Sequence, residues 1–165
     1  MNRILRIVMM TLAASVSLFG CASTKQVTDE NGYINRTYQV GSFDRISTST
    51  IANITFVQST NGKASVKAYG AEELVNLLQV STVNGTLVIQ MEKKRINNSR
   101  KKLEITITAP QLQGIEMSGV GNLKIDGLDT ERLSIDNEGV GNLSVSDLTC
   151  KIINVHSEGV GNITL

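Results

Sequence analysis

Gly119-Val120-Gly121-Asn122 recurs as Gly139-Val140-Gly141-Asn142 and again as Gly159-Val160-Gly161-Asn162. The spacing is twenty residues both times, and the flanks repeat with the corners. Leu123, Leu143 and Ile163 follow the Asn, and Ile125, Val145 and Leu165 stand two positions later. Ile115, Ile135 and Val155 precede the first Gly by four. Within a repeat the pattern alternates, as in Leu133-Ser134-Ile135-Asp136 and Leu143-Ser144-Val145-Ser146. Period-two alternation marks strands with one buried face. A fixed period of about twenty residues marks stacked units, each unable to bury its apolar face alone.

The fold class this predicts is all-β. The C-terminal part is expected to wind as a single-stranded β-helix, or β-solenoid, with coils of about twenty residues. Like residues of successive coils would then lie ~4.8 Å apart and form aliphatic ladders. Gly119, Gly121, Gly139, Gly141, Gly159 and Gly161 supply the corners, because Gly accepts the positive φ of a sharp bend. The intervening Val is expected to point inward and fill the corner. Asn122, Asn142 and Asn162 are placed to bond to one another or to neighbouring backbone, as stacked amides do.

Ahead of the repeats, irregular β-strands and hairpins are expected. Asn84-Gly85 is a strong hairpin signal joining Val80–Val83 to Thr86–Met91. Val66-Lys67-Ala68-Tyr69 alternates, and so does Leu103–Thr108, which Pro110 ends. Only Ala71–Leu78 has room for a helix, of two turns at most. Composition agrees: there is no Trp, there are three Phe and three Tyr, and fourteen Gly stand against one Pro. A core of Val, Ile and Leu suits β-structure.

The first twenty residues read as a leader. Arg3 and Arg6 are followed by an apolar stretch ending Leu18-Phe19-Gly20-Cys21. Ile7–Phe19 has the length of a signal-peptide core and is short of the ~20 residues of a membrane span. Its end resembles the bacterial lipobox, which implies lipidation of Cys21 and cleavage after Gly20. Several acyl chains make a firm anchor where one is marginal. The expected organisation is a signal peptide over 1–20, a flexible tether over 21–40 and a β-solenoid domain over 41–165. The chain stops at Leu165 in mid-coil, so the last coil is expected either to be truncated or to be covered by a partner or second copy.

The order of elements then resembles the putative auto-transporter adhesin head GIN domain family, a domain of unknown function. The resemblance rests on Phe43…Ile46, Ile54–Val57, Val66–Gly70, Asn76-Leu77-Leu78, Asn84–Ile89, Ala109-Pro110 and the Gly-x-Gly corners. Ser118 fits the family's Ser-Gly-x-Gly, whereas Glu138 and Glu158 replace that Ser in the next two corners. The resemblance implies a β-helix-like fold and lipoprotein-type export, and it implies no catalytic residues.

Chemistry is sparse. His156, the only histidine, stands next to inward Val155 and is expected to face solvent, without metal-ligand partners at the required spacing. Asp126, Asp129, Asp136 and Asp147 fall at different phases of the coil, so no acid–base pair converges as a glycan hydrolase needs. Cys150 reads as a small buried residue at a coil corner, with intermolecular pairing or redox sensing as the alternative. The expectation is a non-enzyme with no cofactor and no bound metal.

The sharpest charged feature is Lys93-Lys94-Arg95 with Arg100-Lys101-Lys102, a basic loop that could meet anionic headgroups or acidic glycan, or simply guard sheet edges. The chain as a whole carries a net charge of +1, which gives no footprint for nucleic acid.

The function expected is a lipid-anchored envelope protein, of the outer membrane, presenting a solenoid binding or adhesion module. Its partners would be the membrane through the anchor, a glycan or protein ligand, and a second copy through the uncapped C-terminal coil. The alternative is a self-assembling envelope scaffold, and the least favoured reading is a glycan-active enzyme.

Overall fold

The computed structural model describes residues 23–28, 32–92 and 101–165. Among these residues the protein is all-β, with one short helix. The strands are β1 (Ser23–Thr28), β2 (Tyr33–Tyr38), β3 (Arg45–Ser49), β4 (Asn53–Gln58) and β5 (Ser65–Ala71). Helix α1 (Glu72–Asn76) follows, then β6 (Leu78–Val83), β7 (Thr86–Met91), β8 (Leu103–Ala109) and β9 (Gly114–Met117). Two long strands, β10 (Leu123–Asn137) and β11 (Leu143–Ser157), lead to the short β12 (Ile163–Thr164). All twelve belong to one mixed sheet that curls almost closed, like a barrel.

The repeat sets the register of the C-terminal strands. β10 and β11 pair in parallel with a twenty-residue offset: Leu123 lies beside Leu143, Ile125 beside Val145, Leu133 beside Ile153 and Ile135 beside Val155. β12 continues the row with Ile163 beside Leu143. The long strands bend at Gly127 and Asp147, both with positive φ, at +79° and +50°. Gly takes that conformation freely and Asp is among the few other residues that tolerate it.

The same rows run on into the N-terminal half, where the sequence shows no repeat. β3 pairs in parallel with β9, so Ile46 lies beside Ile115. β4 pairs in parallel with β10, so Ile54 lies beside Leu123 and Phe56 beside Ile125. Residues 45–58 are thus one more layer of the stack and not an irregular preface to it. β7 extends one wall beyond β3, and β8 extends the other beyond β4. The Asn84-Gly85 turn has positive φ at both residues, +50° and +76°, as a two-residue hairpin between right-twisted strands requires. It joins β6 to β7 with Val83 opposite Thr86.

The inward residues of both walls meet in one core. Ile46, Leu87, Ile115 and Ile135 face Ile54, Ile105, Leu123 and Leu143 there, all buried. Phe56, Ile107 and Leu112 are fully enclosed. Each such side chain contributes ~1.5–3 kcal/mol by leaving water.

The expectation of a tether over 21–40 does not hold where the structure describes it. β2 pairs along its whole length with β5, and β1 pairs with β2. Ile34 and Tyr38 are buried in the core and close it beside α1, where Leu74 and Val75 are also buried. The polar residues between them hid this, because a strand with one wet face needs only every second residue to be apolar.

Candidate functional site

The corners form a column along one edge of the stack. Ile51, Val120, Val140 and Val160 bridge in sequence, each parallel to the next. Backbone bonds run between the layers: Val120 N–H donates to Thr50 O (2.8 Å) and Val140 N–H to Gly119 O (2.9 Å), while Gly121 N–H donates to Val140 O (2.9 Å). Gly121, Gly141 and Gly161 hold φ between +137° and +141°. A Cβ on Gly141 would collide with the carbonyl oxygen of Gly121, and one on Gly121 with that of Ala52. Two independent constraints therefore require Gly at the second corner position: backbone angle and closeness of the layer beneath.

The Val of each corner does not fill it. Val120 and Val140 are each 49% exposed and Val160 69%, with Ile51 at 55%. The bend that brings the glycine backbones together turns the intervening side chain outward, leaving an aliphatic ridge. Asn137 occupies the inside of its corner, buried, accepting from Gly139 N–H (3.2 Å) and donating to Ser157 Oγ (3.2 Å). A buried amide with both ends bonded satisfies the backbone where the strand turns. Asn137 stands two positions after buried Ile135, on the same face of the strand, and its polar side chain gives no sign of burial in the sequence.

Beside the ridge runs a row of amides. Asn122 donates to Asn53 Oδ1 from its backbone N–H (3.2 Å) and from Nδ2 (3.1 Å). Asn142 does the same to Asn122 Oδ1, at 3.1 and 3.2 Å. Asn162 N–H donates to Asn142 Oδ1 at 3.1 Å. Asn53 joins this row although no Gly-x-Gly precedes it, so the repeat alone could not locate it.

The basic cluster is only partly described. Lys93, Lys94, Arg95 and Arg100 lie outside the described residues, as does Cys21. Lys101 pairs with Glu73 on α1, and Lys102 is exposed at the start of β8.

Around the opposite bend, Arg45, Gln113, Asp129, Glu131, Arg132 and Lys151 line an open cleft of mixed charge. Lys151 pairs with Glu131 one layer below at 2.7 Å. His156 is exposed and lies 3.4 Å from Glu158. Cys150 is half-buried, its thiol donating to Ile152 O. Among the described residues no three His, Cys, Asp or Glu side chains converge as metal ligands, and no helix is long and apolar enough to cross a membrane.

Comparison with known proteins follows the fold. Residues 42–165 match the model of the family described as putative auto-transporter adhesin, head GIN domain. No curated protein matches significantly. Among solved structures, the chain is 42% identical to a putative adhesin from Bacteroides fragilis, with a TM-score of 0.78. That similarity covers 81% of this chain and 62% of the other, so the chain spans less than two thirds of that protein. A putative lipid binding protein from Parabacteroides distasonis shares the fold at 17% identity and TM-score 0.63, over 84% of this chain and 69% of that one. A putative adhesin from Parabacteroides merdae does so at 14% identity and TM-score 0.64, over 83% and 57%.

Proposed function

Since the chain belongs to the putative auto-transporter adhesin, head GIN domain family, we propose that it is an exported, lipid-anchored envelope protein that displays a β-solenoid as a non-catalytic binding module. In this reading residues 1–20 direct export, Cys21 carries the lipid, and the body winds in coils from β3 onward. The lipobox-like Leu18-Phe19-Gly20-Cys21 supports the anchor. The name of the Bacteroides fragilis relative supports adhesion as the role. The outer membrane is the proposed location.

The observation that carries the reading is the periodic outer surface. Each layer repeats an exposed aliphatic at the corner and an amide beside it, from Ile51 and Asn53 to Val160 and Asn162. A row of equivalent sites gives weak contacts that add through multivalency. The basic stretch from Lys93 to Lys102 would add attraction for anionic groups.

The test is protease treatment of intact cells, followed by binding of the full-length protein to arrayed glycans and matrix proteins. Surface cleavage and retention on an array are the expected results. A chain that resists protease on intact cells and is digested only after the envelope is opened would end the surface-adhesin reading.

A scaffold role has one observation in its favour. Ile153 and Val155 are 40% and 45% exposed, although Leu133 and Ile135, their counterparts one layer below, are buried. A second copy seated on that edge would cover them. Concentration-dependent self-association measured by sedimentation would support this second reading, and a monomer at every concentration would remove it.

A further inference from the structure

Tyr33 and Tyr69 come together on the outer face of the sheet, far from each other in sequence. Their rings stand edge to face, with centroids 5.6 Å apart and planes at 68°. Strand alternation sets their direction. Val66 and Ala68 are buried, so Lys67 and Tyr69 point out from β5. Ile34 is buried, so Tyr33 and Asn35 point out from β2. Register then surrounds the pair. Asn35 lies beside Tyr69 on one flank and Glu104 on the other, and Thr106 lies beside Lys67.

The placement is unusual for this chain. Phe43, Phe56 and Tyr38 are buried, whereas Tyr69 is 36% exposed and Tyr33 is half-buried against the edge of the core, so among the described residues the aromatic surface that reaches solvent is this pair. The site is the open outer face of the sheet, which suits an extended ligand better than a small apolar one. It offers an aromatic surface, an amide, a carboxylate, an ammonium and a hydroxyl within neighbouring positions. That combination matches a sugar ring, whose C–H face packs on an aromatic side chain while its rim of hydroxyls needs donors and acceptors. Glu104 beside Tyr69 disfavours the phosphates of nucleic acid or anionic lipid.

We propose that the outer face around Tyr33 and Tyr69, with Asn35, Lys67, Glu104 and Thr106, is a subsite for a neutral glycan. The inference deepens the binding-module reading and rests on it. Tyr33 precedes the segment matched by the family, which begins at residue 42, so strand β2 completes a feature the family model does not span. Further sugar units would run along the row that leaves Lys67 across β8, β4, β10, β11 and β12 through Thr106, Thr55, Lys124, Ser144 and Thr164.

The experiment uses the full chain in detergent with chitohexaose, cellohexaose and mucin O-glycans, alongside fibronectin and collagen on the same array. Tyr33, Tyr38 and Tyr69 are the only tyrosines and Trp is absent, so intrinsic emission reports on this region of the fold. One of the glycans is expected to bind and to change that emission. Tyr69→Thr and Tyr33→Thr should each weaken glycan binding about tenfold or more, as loss of a central aromatic contact does. Tyr69→Phe should stay within about threefold, and all three variants should keep the wild-type circular dichroism.

Glycan binding that survives both Thr substitutions would overturn the subsite while leaving the binding module in place. Binding to fibronectin or collagen alone would overturn the glycan class and likewise leave the module. Retention of nothing on the array would overturn both.

Discussion

Asn142 reaches down to Asn122 with two donors, its backbone N–H and its Nδ2, both directed at the same Oδ1 at 3.1 and 3.2 Å. The amide of one layer thus closes the corner of the next. Such bonds contribute ~0.5–1.5 kcal/mol each. Asn122→Ala removes the acceptor for both and also the Nδ2 bond to Asn53. It should destabilise the protein by about 1–2 kcal/mol in urea unfolding. Asn162→Ala removes no acceptor from a described residue and should cost clearly less. Equal costs for the two would show that the amide row is incidental.

Gly141 and Gly127 separate two contributions that usually travel together. Both have positive φ, but a Cβ at Gly127 would meet open space, whereas one at Gly141 would meet the Gly121 carbonyl. Gly127→Ala should cost ~1–2 kcal/mol, the conformational penalty alone. Gly141→Ala adds a backbone collision that only separation of the layers relieves, and it should cost at least twice as much, read from the midpoint of denaturant unfolding.

Leu133 and Ile153 occupy the same place in successive layers, one fully buried and the other 40% exposed. Leu133→Ala should destabilise by about 2–5 kcal/mol, the usual range for a core truncation. Ile153→Ala should cost about 1 kcal/mol or less in the monomer. A large loss at Ile153 that grows with protein concentration would mean that another copy buries it.

Cys21→Ala tests the anchor. The variant should no longer incorporate labelled palmitate and should leave the membrane fraction on cell breakage, because one missing thiol removes every acyl attachment that depends on it. Unchanged membrane association would point to the apolar stretch before Cys21 as the retaining element.

The all-β class and the positions of β7 to β12 were legible because period-two alternation, Asn84-Gly85 and the Gly-Val-Gly-Asn spacing all act locally. The layer formed by β3 and β4 was not. Its corner is Thr50-Ile51-Ala52, without glycine, and its offset to the repeats is sixty-nine residues, from Ile51 to Val120. It therefore carries none of the glycines by which the repeats are recognised. Val120 and its equivalents were misplaced for a related reason. Inside a strand an apolar residue between small ones points to the core, but at a bend the backbone itself takes the inner position. The tyrosine pair was invisible because Tyr33 fell in a stretch that looked like tether, and only the pairing of β2 with β5 brings it to Tyr69.

The two kinds of offset in the stack, sixty-nine residues once and twenty thereafter, divide the assembly of the chain into unequal steps. Bringing β4 to β10 closes a long loop, and such distant contacts are the slow part of folding. Every later turn closes a short one on a surface already in place, and growth from there should be quick and directional. Each twenty-residue repeat thus needs only the strand edge left by the one before it, which makes the C-terminal strands the part of the sheet whose addition asks least of the rest of the chain.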